Sequence, residues 1–98
     1  MSRADDRPKR TLEVEVRRTA DGMFIALGTE HRELSDVAAT IWRLCSGRRS
    51  AGEIIAAVCS EYDVEQELAT GDTLAFLEEM AAGGFIEWIA AAPTQITT

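Results

Sequence analysis

Few residues of this chain could do covalent chemistry: there is one histidine, His31, and there are two cysteines, Cys45 and Cys59. A cysteine nucleophile needs a base within hydrogen-bond reach and surroundings that lower the pKa of its thiol. Both cysteines instead fall on the apolar side of a helical pattern, where a thiol behaves as a small hydrophobic group. Catalysis by a Cys–His pair is therefore not expected.

Other reactive constellations are also missing from the sequence. The neighbouring carboxylates Glu78 and Glu79 would point about 100° apart on a helix, and a solvated helix surface accounts for them. Two cysteines and one histidine are too few for a closed zinc site, and there is no glycine-rich phosphate loop. We predict a binding module rather than an enzyme, without a cofactor or a metal.

Charge divides the sequence into two unlike halves. All ten Lys and Arg lie in residues 1–49, beside eight of the seventeen Asp and Glu, whereas residues 50–98 hold nine acids and no Lys or Arg. The second half would repel a polyanion and favour a cationic partner, although a solvated acidic surface also accounts for it. We expect neither a nucleic acid nor a membrane as partner.

No apolar stretch approaches the roughly 20 residues of a membrane span, and the N-terminus does not resemble a secretory signal, so a cytoplasmic location is expected.

The elements that must position a binding site begin with strands. Residues 11–17 alternate, with Leu12, Val14 and Val16 on one face, which predicts a half-buried strand.

A hairpin follows, because the pair Asp21-Gly22 tolerates the positive φ of a tight reversal and residues 23–27 suit a second strand. Residues 31–34 form a third strand at the edge of the sheet.

Three helices are predicted after the strands. Ser35 can cap the first, which Gly47 ends, and Ser50 with Glu53 forms a capping box that opens the second. The third helix runs from about residue 65 to residue 82, before Gly83-Gly84. Apolar periodicity assigns inward positions to Val37, Ala38, Ile41, Leu44 and Cys45, then Ile54, Ile55, Val58, Cys59 and Tyr62, and last Leu68, Thr73, Phe76, Leu77 and Met80. Trp42 is expected at the edge of the core, which Phe85, Ile86 and Trp88 would cover.

The predicted fold is thus α+β: a small winged-helix-like domain in which a three-stranded antiparallel sheet is followed by three helices. Residues 1–10 are expected to be a disordered arm, residues 11–88 the domain, and residues 89–98 a flexible tail.

Five runs of the sequence together resemble the PqqD-like family. They are residues 34–50 (LSDVAATIWRLCSGRRS), 53–55 (EII), 61–64 (EYDV), 72–80 (DTLAFLEEM) and 84–86 (GFI). The similarity extends over about residues 11–88, and its specific part lies in the helices.

This resemblance implies a RiPP recognition element, a non-catalytic domain that holds the leader of a ribosomally synthesised precursor peptide. Such a domain presents the precursor to a modifying enzyme, frequently a radical SAM enzyme or a peptidase. Physical reasoning agrees, because the unpaired backbone groups of an edge strand can accept an extended peptide as a further strand.

The expected leader-binding groove lies between the third strand and the third helix. We predict that Leu34, Ala75 and Phe76 line apolar pockets. We predict polar contacts at the rim from Arg32, Asp72 and Glu79. The site as a whole comprises His31, Arg32, Glu33, Leu34, Asp72, Ala75, Phe76 and Glu79.

Two other functions are compatible with the sequence. A winged-helix transcriptional regulator has similar elements, but its recognition helix would need Lys or Arg to meet phosphate. The basic cluster Arg43, Arg48 and Arg49 is the feature in its favour. A structural or dimerisation adaptor is the second alternative, since an exposed strand edge can also pair with a second copy to give a homodimer.

Overall fold

The computed structural model describes residues 3–90, which form a three-stranded sheet, three helices and a separate two-stranded sheet. In chain order, a 3-10 turn (Arg3–Asp5) precedes β1 (Arg7–Arg10), β2 (Glu15–Thr19), β3 (Gly22–Leu27), β4 (Glu30–Leu34), α1 (Asp36–Leu44), α2 (Ala51–Tyr62), α3 (Gln66–Ala82) and β5 (Ile86–Ile89). The predicted α+β fold, with a three-stranded antiparallel sheet before three helices, is confirmed. Within residues 3–90 no helix has the length and apolarity to cross a bilayer.

The strand order of the larger sheet is β2-β3-β4, and both connections are two-residue turns. Gly28 has a φ of +61° in the second turn, a conformation that favours glycine. Gly22 does not adopt the positive φ predicted for the first turn. Its lack of a side chain matters for another reason, since a Cβ at Gly22 would collide with the carbonyl oxygen of Leu34. Glycine therefore allows the end of β4 to lie close against β3.

The predicted helix starts are confirmed by their capping bonds. Ser35 Oγ accepts an amide proton from the first turn of α1 at 3.2 Å. Ser50 Oγ accepts from the Glu53 amide at 3.1 Å, while the Glu53 carboxylate accepts from the Ser50 amide at 2.8 Å, which completes the capping box. α1 ends at Leu44, three residues before the predicted Gly47.

The core lies between the inner face of the larger sheet and the helices. Its buried members are Met23, Ile25, Leu34, Ala39, Ile41, Trp42, Cys45, Ala51, Ile54, Ile55, Val58, Ala69, Leu77, Met80, Phe85 and Ile86. Trp42 is thus fully within the core rather than at its edge. Two residues of α3 do not follow the prediction, because Leu68 is 56% exposed and Phe76 is half-buried. α3 consequently presents a second apolar strip outside the core.

Residues 7–10 contradict the prediction that residues 1–10 form a disordered arm. They form β1, which pairs antiparallel with β5, and Pro8 is fully buried. The backbone supplies the ladder while the charged side chains stay partly exposed, so composition alone could not reveal this strand. Ile89, assigned to the flexible tail, belongs to β5; residues 91–98 of that tail lie outside the described residues.

Arg10 explains how β1 is anchored to the helices. Its guanidinium donates to the carbonyl oxygens of Trp42 at 3.1 Å and Arg43 at 2.6 Å. These carbonyls belong to the last turn of α1, where the Trp42 carbonyl also accepts the Cys45 amide at 3.1 Å and the helix dipole favours a positive charge. The Arg10 amide also donates to the Cys45 carbonyl at 3.0 Å. The arginine therefore acts as the C-terminal cap of α1.

The first strand of the larger sheet also differs from its prediction. It begins at Glu15 instead of residue 11, and Leu12 lies before it with 88% of its surface exposed. Val16, predicted to be buried, is 51% exposed. The strand cannot begin at residue 11, because the Thr11 amide donates to the Phe85 carbonyl at 2.9 Å and so holds Thr11 at the C-terminal segment.

Candidate functional site

β4 is an edge strand of the larger sheet. It pairs with β3 on one side, and no other strand among residues 3–90 pairs with its second side. The strand is short and carries charged residues, features that limit unselective pairing of an exposed edge. β4 therefore offers a backbone edge for another extended chain.

The direction of the backbone groups along β4 follows from its turn. The loop between β3 and β4 has two residues, so the strand residues flanking it form a hydrogen-bonded pair. Alternation then turns the backbone groups of Glu30, Arg32 and Leu34 toward β3. Those of His31 and Glu33 point to the free edge. These two residues supply the N–H and C=O groups that an added strand would bond.

Side chains on β4 alternate between the two faces of the sheet. His31 and Glu33 lie on the outer face, where the His31 ring stacks on Phe24 with centroids 5.7 Å apart. Arg32 and Leu34 lie on the inner face, toward the helices. The predicted site residues of β4 consequently divide into two pairs with different roles.

A cleft separates β4 from α3, and Arg32 crosses it. The Arg32 Nε donates to the Glu79 carboxylate at 3.3 Å, and the guanidinium carbon lies 5.4 Å from the ring centroid of Phe85. The predicted rim residues Arg32 and Glu79 are thus brought together as an ion pair. Both side chains remain accessible, so the pair contributes at most about 1 kcal/mol.

An apolar groove of about 420 Å³ begins at Ser35, the residue that follows β4. The start of α1 forms one wall and the first half of α3 the other. Its lining residues are Ser35, Val37, Ala38, Ile41, Val58, Val64, Leu68, Ala69, Asp72, Thr73 and Phe76. Its volume is within the usual range for small-ligand pockets, and it is large enough for a few side chains.

The structure places the remaining predicted site residues differently from one another. Asp72 and Phe76 line the groove. Ala75 is exposed on α3 but is not part of the groove lining. The prediction that Leu34 lines an apolar pocket for a ligand is wrong, because its side chain belongs to the core and is 5% exposed.

Val37 and Leu68 are groove residues that the sequence prediction missed. Both were assigned to the buried faces of their helices, yet both are among the large apolar residues exposed in the structure. Leu68, Asp72 and Phe76 recur four residues apart, which places them along one face of α3. That spacing was the available signal, but it does not distinguish a groove from a core.

The groups that could do covalent chemistry, Cys45 and His31, are not brought together at this site. Cys45 is buried and donates its S–H to the Ile41 carbonyl at 3.2 Å. Desolvation raises the pKa of Cys45 from its ordinary value of 9.0 to about 12, and the charge of Arg10 opposes only part of this rise. His31 is exposed on the far side of the sheet. Within the described part of the chain, no three His, Cys, Asp or Glu residues are grouped to hold a metal ion.

Solved structures resemble this fold closely. One, "TbiB1 in Complex with the TbiA(beta) Leader Peptide", is 25% identical over 81% of this chain and 94% of that chain, with a TM-score of 0.70. Another, "Lasso peptide synthetase B1 complexed with the leader peptide", is 28% identical over 86% of this chain and 99% of that chain, with a TM-score of 0.69.

The PqqD truncation of Methylobacterium extorquens PqqCD, solved by NMR as a stand-alone RiPP recognition element, has a TM-score of 0.72. Its identity of 22%, over 88% of this chain and 93% of that one, shows a shared fold. No match was found among curated proteins. The family model for coenzyme PQQ synthesis protein D (PqqD) matches residues 24–86, well over half of the sequence. The chain therefore belongs to the PqqD family.

Proposed function

We propose that this protein is a non-catalytic module that binds the leader of a ribosomally synthesised precursor peptide by strand addition. The observation that carries the proposal is the free edge of β4, with the backbone groups of His31 and Glu33 directed outward beside an apolar groove. Two solved relatives with this fold contain a leader peptide. The bound leader would be presented to a modifying enzyme, such as a radical SAM enzyme or a peptidase.

Backbone bonding and side-chain burial have separate roles in this mechanism. An added strand would exchange hydrogen bonds with His31 and Glu33, which provides affinity with little dependence on sequence. Residues of the leader that extend past Leu34 would enter the groove, where apolar side chains supply selectivity. Each buried anchor contributes about 1.5–3 kcal/mol, and ordering the flexible peptide offsets much of that gain. The expected dissociation constant is sub-micromolar to micromolar.

Charge at the rim favours cationic groups on the leader. Asp72 and Glu79 are exposed on α3, and the chain has no Lys or Arg after Arg49. A basic leader side chain could therefore replace Arg32 as the partner of Glu79. Since an exposed ion pair is weak, this exchange costs little.

The alternative function, DNA binding by a winged helix, finds no support in α2 or α3. Neither α2 nor α3 contains Lys or Arg, so neither could neutralise phosphate as a recognition helix must. Arg43, Arg48 and Arg49 lie outside both helices.

We also propose binding without catalysis. The buried, protonated thiol of Cys45 is unsuited to nucleophilic attack. A reducing compartment such as the cytoplasm suits a protein in which Cys45 and Cys59 are both free thiols.

Calorimetric titration with a synthetic leader tests the proposal, the leader being that of the precursor encoded beside this chain's gene. The informative variant is Glu33→Pro, which removes an N–H directed to the free edge without removing a bond to β3. We expect it to lower leader affinity by at least about 30-fold, or about 2 kcal/mol.

The matched control is Val16→Pro, which places the same substitution at an outward position of the opposite sheet edge and should leave leader affinity unchanged. Circular dichroism establishes that both variants are folded. A folded Glu33→Pro variant with native affinity would contradict strand addition, and absence of binding by the native chain would contradict the function itself.

A further inference from the structure

The larger sheet has a second free edge, which the proposed leader site does not use. It is formed by β2, at the end of the sheet opposite β4, and within residues 3–90 no strand pairs with its outer side. All five residues of β2 are exposed. The backbone groups of this edge are therefore available to another extended chain.

The backbone groups along β2 also alternate in direction. β2 and β3 are joined by a two-residue turn, so Thr19 and Gly22, which flank it, are hydrogen-bonded to each other. The N–H and C=O groups of Val16 and Arg18 consequently point to the free edge.

Unlike β4, this edge carries uncovered apolar side chains. Leu12 and Val16 are exposed, and together with Val14 they border a groove that reaches Trp42 and has a volume of about 240 Å³. α1 packs against β3 and β4, whereas all five residues of β2 remain exposed. Apolar side chains beside unpaired backbone groups favour an added strand that also covers them.

The charges of β2 are complementary to those of a second, antiparallel copy. A two-fold axis normal to the sheet makes residues of one face oppose residues of the same face. With the axis at Val16, that residue meets its own copy, and Glu15 of each chain lies opposite Arg17 of the other. An axis at Glu15 would instead oppose Glu15 to itself, and an axis at Arg17 would oppose Arg17 to itself. Of the three registers, the one centred on Val16 combines the backbone hydrogen bonds of Val16 with an apolar contact and two ion pairs.

We propose that two copies of this chain associate through β2, with Val16 on the two-fold axis, to form a continuous six-stranded sheet. The strand order would be β4-β3-β2-β2-β3-β4, so both β4 edges remain free at the outside. With the axis at Val16, only Glu15, Val16 and Arg17 of β2 pair with β2 of the other copy, so the interface buries less than the roughly 1,200 Å² of a stable one and the dimer is weak and concentration-dependent. The proposal does not depend on leader binding.

Sedimentation velocity between about 5 and about 500 μM tests for this dimer, since a weak association dissociates at the low end of that range. The native chain should shift toward a dimer as concentration rises. Val16→Pro should stay monomeric, whereas Glu33→Pro should dimerise like the native chain. A native chain that stays monomeric over the whole concentration range overturns the proposal. A dimer lost in Glu33→Pro but kept in Val16→Pro also overturns it, because the copies would then meet through β4.

Charge reversal provides the test of register. Glu15→Arg places Arg opposite Arg in its homodimer, and Arg17→Glu places Glu opposite Glu, so each variant alone should stay monomeric. Mixed in equal amounts, they should form a heterodimer, because both pairs between position 15 and position 17 are then of unlike charge. Both positions are exposed, so the reversals leave the core intact. Failure of the mixture to associate, while the native chain dimerises, would overturn the register centred on Val16.

Discussion

The backbone N–H and C=O groups of His31 and Glu33 point in the opposite direction to those of Arg32 and Leu34. The former pair faces the free edge of β4, while the latter is bonded to β3. A proline at position 32 would therefore break the sheet itself, whereas a proline at position 33 acts on an added strand alone. Residue type does not determine which backbone groups face the free edge. The length of the turn before β4 determines it.

Phe76 is the single side chain whose loss should weaken leader binding most clearly. It is half-buried in the groove but outside the buried core, so Phe76→Ala should lower leader affinity about tenfold and stability only slightly. Leu74→Ala is the control, because it removes another half-buried apolar side chain of α3 that does not line the groove. Calorimetry on both variants measures the difference. Equal loss of affinity in the two would refute the groove as the anchor site.

Cys45 should make the protein sensitive to alkali. Burial raises the pKa of its thiol to about 12, so above pH 9 the unfolded chain releases a proton that the native state retains. The contribution to stability is complete below pH 9 and is lost as pH rises toward 12, by up to about 1.4 kcal/mol per unit. Urea unfolding across this range should show a shallower decline in Cys45→Ala. Identical slopes in the two proteins would show that the thiol is not the titrating group.

At the scale of elements, the N-terminal strand is part of the fold. β1 pairs with β5, and Arg10 caps α1, so deletion of residues 2–10 should lower the free energy of unfolding by more than about 2 kcal/mol. It should also expose core residues next to β5. Denaturant unfolding measures the loss. A deletion variant as stable as the full chain would mean that β1 is dispensable.

Elements differed in how far the sequence could predict them. α1 and α2 carry their own start signals in local capping residues, and Ser35, Ser50 and Glu53 made these starts predictable; α3 begins after Glu65 without a side-chain capping bond. β1 has no such signal, because its partner lies nearly eighty residues away and its side chains are charged. Alternation in residues 11–17 did predict a strand nearby, but a pattern of period two does not determine which face another element covers.

The candidate site was predictable in location but not in detail. The sequence and the resemblance indicated the strand and the helix on either side of the cleft and named Arg32 and Glu79 as rim residues, but not the ion pair between them. Leu34 and Leu68 were misassigned in opposite directions, the first being core and the second exposed. Both are apolar residues at acceptable periodic positions. Only the packing of α3 against its neighbours decides which of them is available to a ligand.

At the scale of the whole molecule, the sheet has two free edges with different properties. The β4 edge lies beside an acidic helix and an apolar groove, while the β2 edge is self-complementary in charge. Because the edges lie at opposite ends of the sheet, occupation of one does not obstruct the other. A leader-binding module could therefore associate with a second copy while both leader sites remain accessible.

Amide hydrogen exchange, measured by NMR with and without saturating leader peptide, tests strand addition to β4 most directly. Exchange at His31 and Glu33 should slow at least about tenfold when the leader binds, because their amides would then be hydrogen-bonded to the added strand. The outward amides of Val16 and Arg18, at the other edge, should retain their rates at concentrations where the chain is monomeric. Leader binding that leaves the exchange rates of His31 and Glu33 unchanged would rule out strand addition to β4.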